Sequence, residues 1–299
     1  MSAPKAPVRR GPRAMWLGPL RPWVKAGLAP VRAMAAFARG GVLDIADDLS
    51  GRRPPLTPPR RLWSLVTTGA NDFHTSGKDF RDLLVAYGLK PHHHVLDVGC
   101  GIGRLAVPLT GYLDAAARYE GFDIMPAAIR WCARVTAAHP NFRFQLADVH
   151  SDRYHPRGRF RAKDYRFPYE SETFDFVALG SVFSHLLPDD LSNYLREIAR
   201  VLRPGGRAVI SCYLLNDRKR AAIAQGRAAL SFGHAGPGFW AEFAELPEAA
   251  VAYEEDWMLA LYAACGLQVV HNLEGVWAVQ PVQGQDVIVS SKSEPPPVA

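Results

Sequence analysis

Residues 95–103 read Val-Leu-Asp-Val-Gly-Cys-Gly-Ile-Gly, an apolar strand that passes through one acid into three alternating glycines. Glycine at positions 99, 101 and 103 allows a tight turn and a close approach of the backbone to a ligand, because a Cβ atom there would collide with it. A helix is predicted to begin at Arg104. The stretch therefore predicts a strand, a loop that cradles a small nucleotide-like molecule, and a helix.

Two further apolar runs each end in an acid. Residues 119–122 lead into Asp123, and residues 142–147 lead into Asp148. Because the carboxyl ends of neighbouring parallel strands lie at the same edge of a sheet, both carboxylates are expected beside the glycine loop. They would suit the hydroxyls of a ribose and the amine of an adenine. Each acid alone could instead cap the helix that follows it.

This pattern resembles the class I S-adenosylmethionine-dependent methyltransferases, whose first motif is similar to residues 95–103. Residues 174–185 look like the fourth strand of that family and its following loop, and residues 195–210 look like the next helix, turn and fifth strand. The resemblance covers roughly residues 91–291. It implies an α/β fold: a doubly wound, Rossmann-like seven-stranded sheet, mostly parallel with an antiparallel last strand, and helices on both faces.

Alternating strand and helix signals agree with that fold. Besides the strand that begins at 174, strands are predicted at 94–98, 119–122, 142–147, 207–213, 267–273 and 286–290, and helices at 77–87, 102–112, 126–138, 188–202 and 254–265. Two insertions interrupt the scaffold, at about 150–170 and 214–253. Variable segments at the carboxyl edge of such a sheet carry substrate specificity, and the second insertion could close as a lid.

The resemblance implies S-adenosyl-L-methionine as the cofactor and no metal. The residues that it assigns to cofactor binding are Asp97, Gly99, Gly101, Gly103, Asp123, Ile124, Asp148 and Val149. Asp97 would take the methionine amino group through water, while Asp123 and Asp148 would take the ribose and the adenine amine. Ile124 and Val149 would pack on the base.

Two other classes of protein stay open. An NAD(P)-dependent oxidoreductase also has an acid about 20 residues after a glycine loop. The glycine pattern of a dinucleotide site would have its third glycine at position 104, but this chain has Arg104 there. A catalytically silent cofactor-binding protein would keep the same fold without turnover.

Methyl transfer to a hydroxyl needs an aligned acceptor and a group that removes its proton. His185, in the loop after the predicted fourth strand, is the first candidate for this base, and His234 and Tyr213 follow. The imidazole of His185 could instead only pack or cap the next helix. Residues 180–183 lack the Asn-Pro-Pro-Tyr-like segment that the family uses for planar amines. We expect a small-molecule or glycan-like acceptor, methylated at oxygen, and no nucleic acid; the acceptor's identity and the oligomeric state stay open.

Charge and composition divide the 299-residue chain in two. Residues 1–61 are rich in Pro, Gly and Ala and carry twelve Lys or Arg against three acids, whereas residues 62–299 have a net charge of −3. The first part is predicted to be a partly disordered or helical extension, whose segment 23–49 could make peripheral contact with an anionic membrane or pack on the domain. The second part is predicted to be the methyltransferase domain. Four separated cysteines and no apolar run of membrane-spanning length predict a reduced, cytoplasmic protein.

Overall fold

The computed structural model describes residues 38–47, 49–51, 53, 55–66, 73–152, 154–278 and 284–293. The chain separates into two compact units, Met1–Arg52 with Pro59–Leu65 and Arg53–Pro58 with Val66–Ala299. The predicted disorder near the N-terminus and the first part of the predicted amphipathic segment, 23–37, lie outside the described residues. Among the residues that are described, no helix has the length and hydropathy needed to span a bilayer.

In the smaller unit, helix α1 covers residues 38–47 and helix α2 covers Arg60–Val66. The buried carboxylate of Asp44 accepts hydrogen bonds from the backbone N–H groups of Arg60 (2.6 Å) and Arg61 (3.2 Å). These N–H groups lie in the first turn of α2 and therefore have no partner within their own helix. Asp44 supplies that partner and places a negative charge at the positive end of the helix dipole.

The larger unit is built on a sheet whose central part has the predicted order. In space its strands follow as β3 (Phe142–Leu146), β2 (Arg118–Asp123), β1 (His94–Val98), β4 (Phe174–Leu179), β5 (Leu202–Leu215), β10 (Asp286–Lys292) and β9 (Leu267–Leu273). The first five strands are parallel, and β10 runs antiparallel to both β5 and β9. This confirms the doubly wound sheet with an antiparallel last strand.

Three additional strands extend this sheet, so the part of the chain that the structure describes forms ten strands rather than the predicted seven. β8 (Val251–Glu254) runs parallel to the end of β5, and β7 (Phe239–Ala241) and β6 (His234–Gly236) follow it in antiparallel pairing. All three lie in the second predicted insertion. The sequence indicated no strand there because each is only three or four residues long and glycines interrupt the pattern.

The helices of the larger unit connect and cover these strands. They are α3 (Phe73–Ala86), α4 (Ala106–Leu109), α5 (Pro126–Val135), α6 (Pro188–Val201), α7 (Asp217–Ala224) and α8 (Glu255–Ala264). α5 and α6 each begin with a proline, whose missing N–H is not needed in a first turn. α4 is shorter than the predicted 102–112, because residues 101–105 continue the glycine loop as successive turns.

Alternate residues of the central strands pack on opposite faces of the sheet. Leu96 and Val98 of β1 belong to a cluster that includes Ile198 of α6. Val95 belongs to a second cluster that includes Leu84 of α3. Helices thus bury both faces, and the carboxyl-end edge of the parallel strands is where the connecting loops converge.

Candidate functional site

The glycine loop after β1 adopts backbone conformations that favour glycine. Gly99, Gly101 and Gly103 have φ angles of 72°, 52° and 80°, in the region where a Cβ atom is strained. The N–H groups of residues 99 and 100 donate to the carbonyl oxygen of Phe122 at 2.9 and 3.0 Å. A Cβ at position 99 would also lie 2.4 Å from Cγ2 of Val182. The loop is held between the end of β2 and the segment after β4, and residues 99 and 101 remain partly exposed.

The carboxylate of Asp123 binds this loop directly. Its Oδ2 accepts a hydrogen bond from the N–H of Gly101 (2.8 Å), and its Oδ1 accepts one from the N–H of Met125 (2.9 Å). Burial raises the pKa of Asp123, while the N–H groups of Met125, Gly101 and Ile124 act to lower it. A carboxylate has about four lone-pair positions, which is more than these donors occupy. Asp123 can therefore hold the loop and still accept a hydroxyl.

Asp97 lies on β1 immediately before the loop and is 3% exposed. Its Oδ2 accepts a 2.5 Å hydrogen bond from the hydroxyl of Tyr119. Burial raises the pKa of Asp97 to about 7, against the opposing effects of the Tyr119 hydroxyl and the Arg104 charge. A small cavity borders this carboxylate and is also lined by Phe80, Gly99, Cys100, Arg104, Leu105 and Gly180. The loop is thus flanked by an acid that titrates near neutral pH.

Asp148 lies at the same edge as Asp123, because the N–H of Ala147 donates to the carbonyl oxygen of Asp123 at 2.9 Å. Its carboxylate is already paired. Arg159 donates to it through Nε and through its backbone N–H (3.2 Å), and His155 Nε2 lies 3.3 Å away. The hydrogen bond from Arg159 lowers the pKa of Asp148. The sequence indicated this acid but not its partner, which comes from the first insertion.

The two apolar residues predicted beside the adenine differ in exposure. Val149 is 3% exposed and packs in the core, whereas Ile124 is partly buried against the same cluster. The first insertion covers Val149, since Phe160 forms a parallel bridge with it and a Cβ on Gly158 would lie 2.3 Å from its carbonyl carbon. Ile124 is therefore the one of the two with more surface left for a ligand.

His185 ends a short 3₁₀ helix after β4 and lies where the two insertions meet. Its Nδ1 is 2.8 Å from the carbonyl oxygen of Glu248, which belongs to the second insertion. Its ring makes an edge contact with Tyr154 of the first insertion, with ring centres 5.8 Å apart. A carbonyl oxygen only accepts hydrogen bonds, so Nδ1 carries the proton and Nε2 is the proton-accepting atom of the neutral ring.

The other two candidate bases occupy different surroundings. Tyr213 is 5% exposed and packs against Phe232 and Trp277 in an aromatic cluster. Burial raises its pKa, which disfavours the phenolate. His234 is exposed on β6, at a cavity of about 340 Å³ that Phe239 and Pro247 also line. Within the described ranges, no group of three or more His, Cys, Asp or Glu side chains could hold a metal ion.

Three polar residues that sequence reasoning missed form a closed ring of hydrogen bonds at this edge. The N–H of Ser181 donates to Ser211 Oγ (2.8 Å), Ser211 Oγ donates to Gln285 Oε1 (2.5 Å), and Ser181 Oγ donates to the same Oε1 (3.1 Å). They lie after β4, on β5 and before β10. No spacing in the sequence could have identified them, because up to 104 positions separate them along the chain.

Comparisons with known proteins agree with this geometry. The sequence model of a family described as "Methyltransferase domain" matches residues 96–210. The chain is 33% identical over 112 residues to a phthiotriol/phenolphthiotriol dimycocerosates methyltransferase of Mycobacterium leprae, covering 38% of this chain and 34% of that protein. It is 24% identical over 225 residues to a bovine (Bos taurus) tRNA N(3)-cytidine methyltransferase, covering 74% of this chain and 51% of that protein. The chain thus spans between about a third and a half of these two relatives.

A solved structure shares the fold over nearly the whole chain. It is the 1,6-didemethyltoxoflavin-N1-methyltransferase of Burkholderia thailandensis, with S-adenosylhomocysteine bound. The TM-score is 0.51 at 18% sequence identity, and the match covers 97% of this chain and 95% of that one. The names of these three proteins point to three different kinds of acceptor, so the shared fold leaves the acceptor undetermined.

Proposed function

We propose that this chain, whose residues 96–210 match the model of a methyltransferase domain family, transfers a methyl group from S-adenosylmethionine to a hydroxyl of a small-molecule or glycan-like acceptor. The observation that carries the proposal is the hydrogen bond from Gly101 to the buried carboxylate of Asp123. It joins a loop of bare backbone to an acid that can accept a ribose hydroxyl. These residues therefore fit an adenosyl group.

Each cofactor-binding residue has a role that its surroundings support. The bound cofactor supplies an electrophilic methyl group on a sulfonium. Gly99, Gly101 and Gly103 bring the backbone close to it, Asp97 faces the amino group, and Asp123 accepts the ribose hydroxyls. Asp148 accepts from the adenine amine in exchange for Arg159, which is largely exposed and therefore loses little when it returns to water. Ile124 packs on the base, and Val149 supports it from the core.

We assign the proton-accepting role to His185. An amine carries a lone pair that attacks a methyl group directly, whereas a hydroxyl becomes a good nucleophile only when a base removes its proton. Because Nδ1 donates to the Glu248 carbonyl, Nε2 is the nitrogen of the neutral ring that can accept a proton. Charged groups near Glu248, among them Asp152, Asp190 and Arg161, give this region a polar character that suits a hydroxyl-rich acceptor.

The domain boundaries and the surroundings of the protein form part of the same proposal. Residues 62–299 are the methyltransferase domain with insertions at about 150–170 and 214–253, and residues 1–61 are a basic extension. Val42, Ile45 and Leu49 are 69%, 60% and 85% exposed and are spaced to lie on one side of a helix. This apolar stripe supports peripheral contact of the extension with an anionic membrane. Four free cysteines are in keeping with a cytoplasmic location.

Calorimetric titration with S-adenosylhomocysteine tests the cofactor site. Wild-type protein should bind it and should not bind NADH. Asp123→Ala should weaken binding by about fivefold or more, since a charge-assisted hydrogen bond contributes about 1 kcal/mol or more. Asp256→Ala, which removes an exposed acid on α8, should leave the affinity unchanged. Binding of NADH in place of S-adenosylhomocysteine would refute the proposal.

Transfer from methyl-labelled S-adenosylmethionine tests the chemistry. An extract of the source cells should yield a labelled small molecule or glycan whose new methyl group is on oxygen. His185→Gln should bind S-adenosylhomocysteine normally and lose about 100-fold or more in transfer rate, the usual contribution of a general base. A labelled protein or nucleic acid would contradict the proposed class of acceptor. Full activity of His185→Gln would contradict the role of this histidine.

A further inference from the structure

The turn of residues 180–182, which follows β4, forms one wall of the glycine loop. Val182 lies so close to Gly99 that no side chain fits there. A Cβ on Gly180 would lie 3.1 Å from Nη2 of Arg104 and 3.2 Å from Cε1 of Phe80, two side chains that line the cavity beside Asp97. The shape of this turn therefore sets the space available next to the loop.

The turn has a backbone conformation that needs outside support. Ser181 has φ of 64°, in the left-handed region that non-glycine residues rarely adopt. Its side chain is exposed, so packing does not impose this conformation. Both of its polar contacts lead instead into the ring with Ser211 and Gln285. The ring therefore supplies the hydrogen bonds of Ser181 within this turn.

Gln285 is the centre of this ring. Its Oε1 accepts both serine hydroxyls, one from the turn and one from β5. Because an amide oxygen only accepts, the contact between Ser211 Oγ and Oε1 uses the hydrogen of the Ser211 hydroxyl. The side chain also lies near Tyr213, since a hydrogen bond from Gln285 acts to lower the pKa of that residue against the effect of burial. The two serine hydroxyls thus fix Oε1 of Gln285.

We propose that Gln285 is a positioning residue: through Oε1 it holds the turn of residues 180–182 against the glycine loop in the shape that binds the S-adenosyl cofactor. This inference rests on the function proposed above. Gln285 lies 75 positions beyond the residues that match the methyltransferase domain family, so the C-terminal part of the chain completes the cofactor site. Gln285 acts through Ser181 and Ser211 and takes no part in the chemistry.

Two substitutions at this position separate the role of Oε1 from the bulk of the side chain. Gln285→Leu keeps the size but removes the acceptor, and it should weaken S-adenosylhomocysteine binding about five- to tenfold by calorimetry. Gln285→Glu keeps an oxygen that accepts both serine hydroxyls, and it should bind within about twofold of wild type. Gln268→Leu on β9 makes the same exchange at an exposed position and should have no effect.

The outcomes distinguish this inference from the proposed function. Wild-type protein that fails to bind S-adenosylhomocysteine refutes the function itself. If the wild-type protein binds and Gln285→Leu binds with the same affinity, only the role of Oε1 is refuted. The same holds if the Leu and Glu variants lose affinity equally. Should Gln285→Leu fail to fold, Ser211→Ala removes the acceptor of the Ser181 N–H from the same ring. It should weaken binding in the same direction, and an unchanged affinity would overturn the inference.

Discussion

The buried carboxylate of Asp97, with a pKa of about 7, should make the proposed cofactor binding sensitive to pH. Because the pKa of Asp97 is raised, the free protein still holds a proton there at pH 6, and an ammonium group needs the ionised form. Binding of S-adenosylhomocysteine must then release that proton, so its affinity should rise with pH by up to about tenfold between pH 6 and pH 8. Asp97→Asn should bind more weakly and show a much flatter profile. A wild-type affinity that falls over this range would contradict the assignment.

Single acids were predictable at this site, whereas their partners were not. Asp97 stands out in the sequence because it interrupts the apolar run just before the glycine loop, and Asp123 because it ends the next apolar run. The pairing of Asp148 with Arg159 could not be predicted from the sequence, because it depends on how the first insertion folds back. The ring around Gln285 was missed for the same reason: its members come together only through the order of β4, β5 and β10.

Helix α7 contacts strand β10 through an ion pair that is almost completely buried. Lys219 Nζ lies 2.8 Å from Asp286 Oδ1, and the two side chains are 2% and 0% exposed. Asp286 also accepts from the N–H of Leu214 (2.9 Å) and from Trp277 Nε1 (2.9 Å). This acid therefore joins the second insertion to the central sheet.

Removing the Lys219 cation from this pair should lower the stability of the folded protein. Lys219→Met leaves the Asp286 carboxylate buried without its counter-charge, and it should lower the free energy of unfolding by roughly 3–5 kcal/mol in urea titrations. Arg218→Met, one residue earlier, removes a cation that is 66% exposed and paired with Glu274. That control should change stability by about 1 kcal/mol or less. Equal effects of the two substitutions would show that burial of the pair is not what matters.

The central strands were predictable, and the extent of β5 was not. β1 matches its predicted range because a dense apolar run stops at glycine. β5 begins at Leu202 rather than at the predicted residue 207. Arg-Pro-Gly-Gly at 203–206 forms an irregular turn-like stretch within it, with φ of 76° at Gly205, and regular pairing with β4 resumes at Arg207. The continuation of β5 to Leu215 depends on pairing with β8, whose short length gives no pattern of its own.

At the scale of the whole molecule, the N-terminal extension carries both an excess of positive charge and exposed apolar side chains. Residues 1–61 have a net charge of +9, and Asp44 and Asp47 within it are engaged with Arg60. The protein should therefore sediment with vesicles that contain phosphatidylglycerol, weakly with pure phosphatidylcholine, and less as salt rises. Ile45→Glu should reduce the bound fraction, whereas Val270→Glu, at an exposed position of β9, should not. Equal binding to both kinds of vesicle would exclude electrostatic attraction.

One strand, β5, belongs both to the central sheet and to the added strands of the second insertion, and its regular pairing runs from Arg207 to Leu215. The Lys219–Asp286 pair joins α7 of the same insertion to β10. We therefore expect the second insertion to stay in place at this edge of the sheet rather than to close as a lid. The choice of acceptor would then depend on the shape of this preformed edge. Related proteins with different acceptors should therefore differ in the side chains along it, rather than in the rate at which the insertion opens.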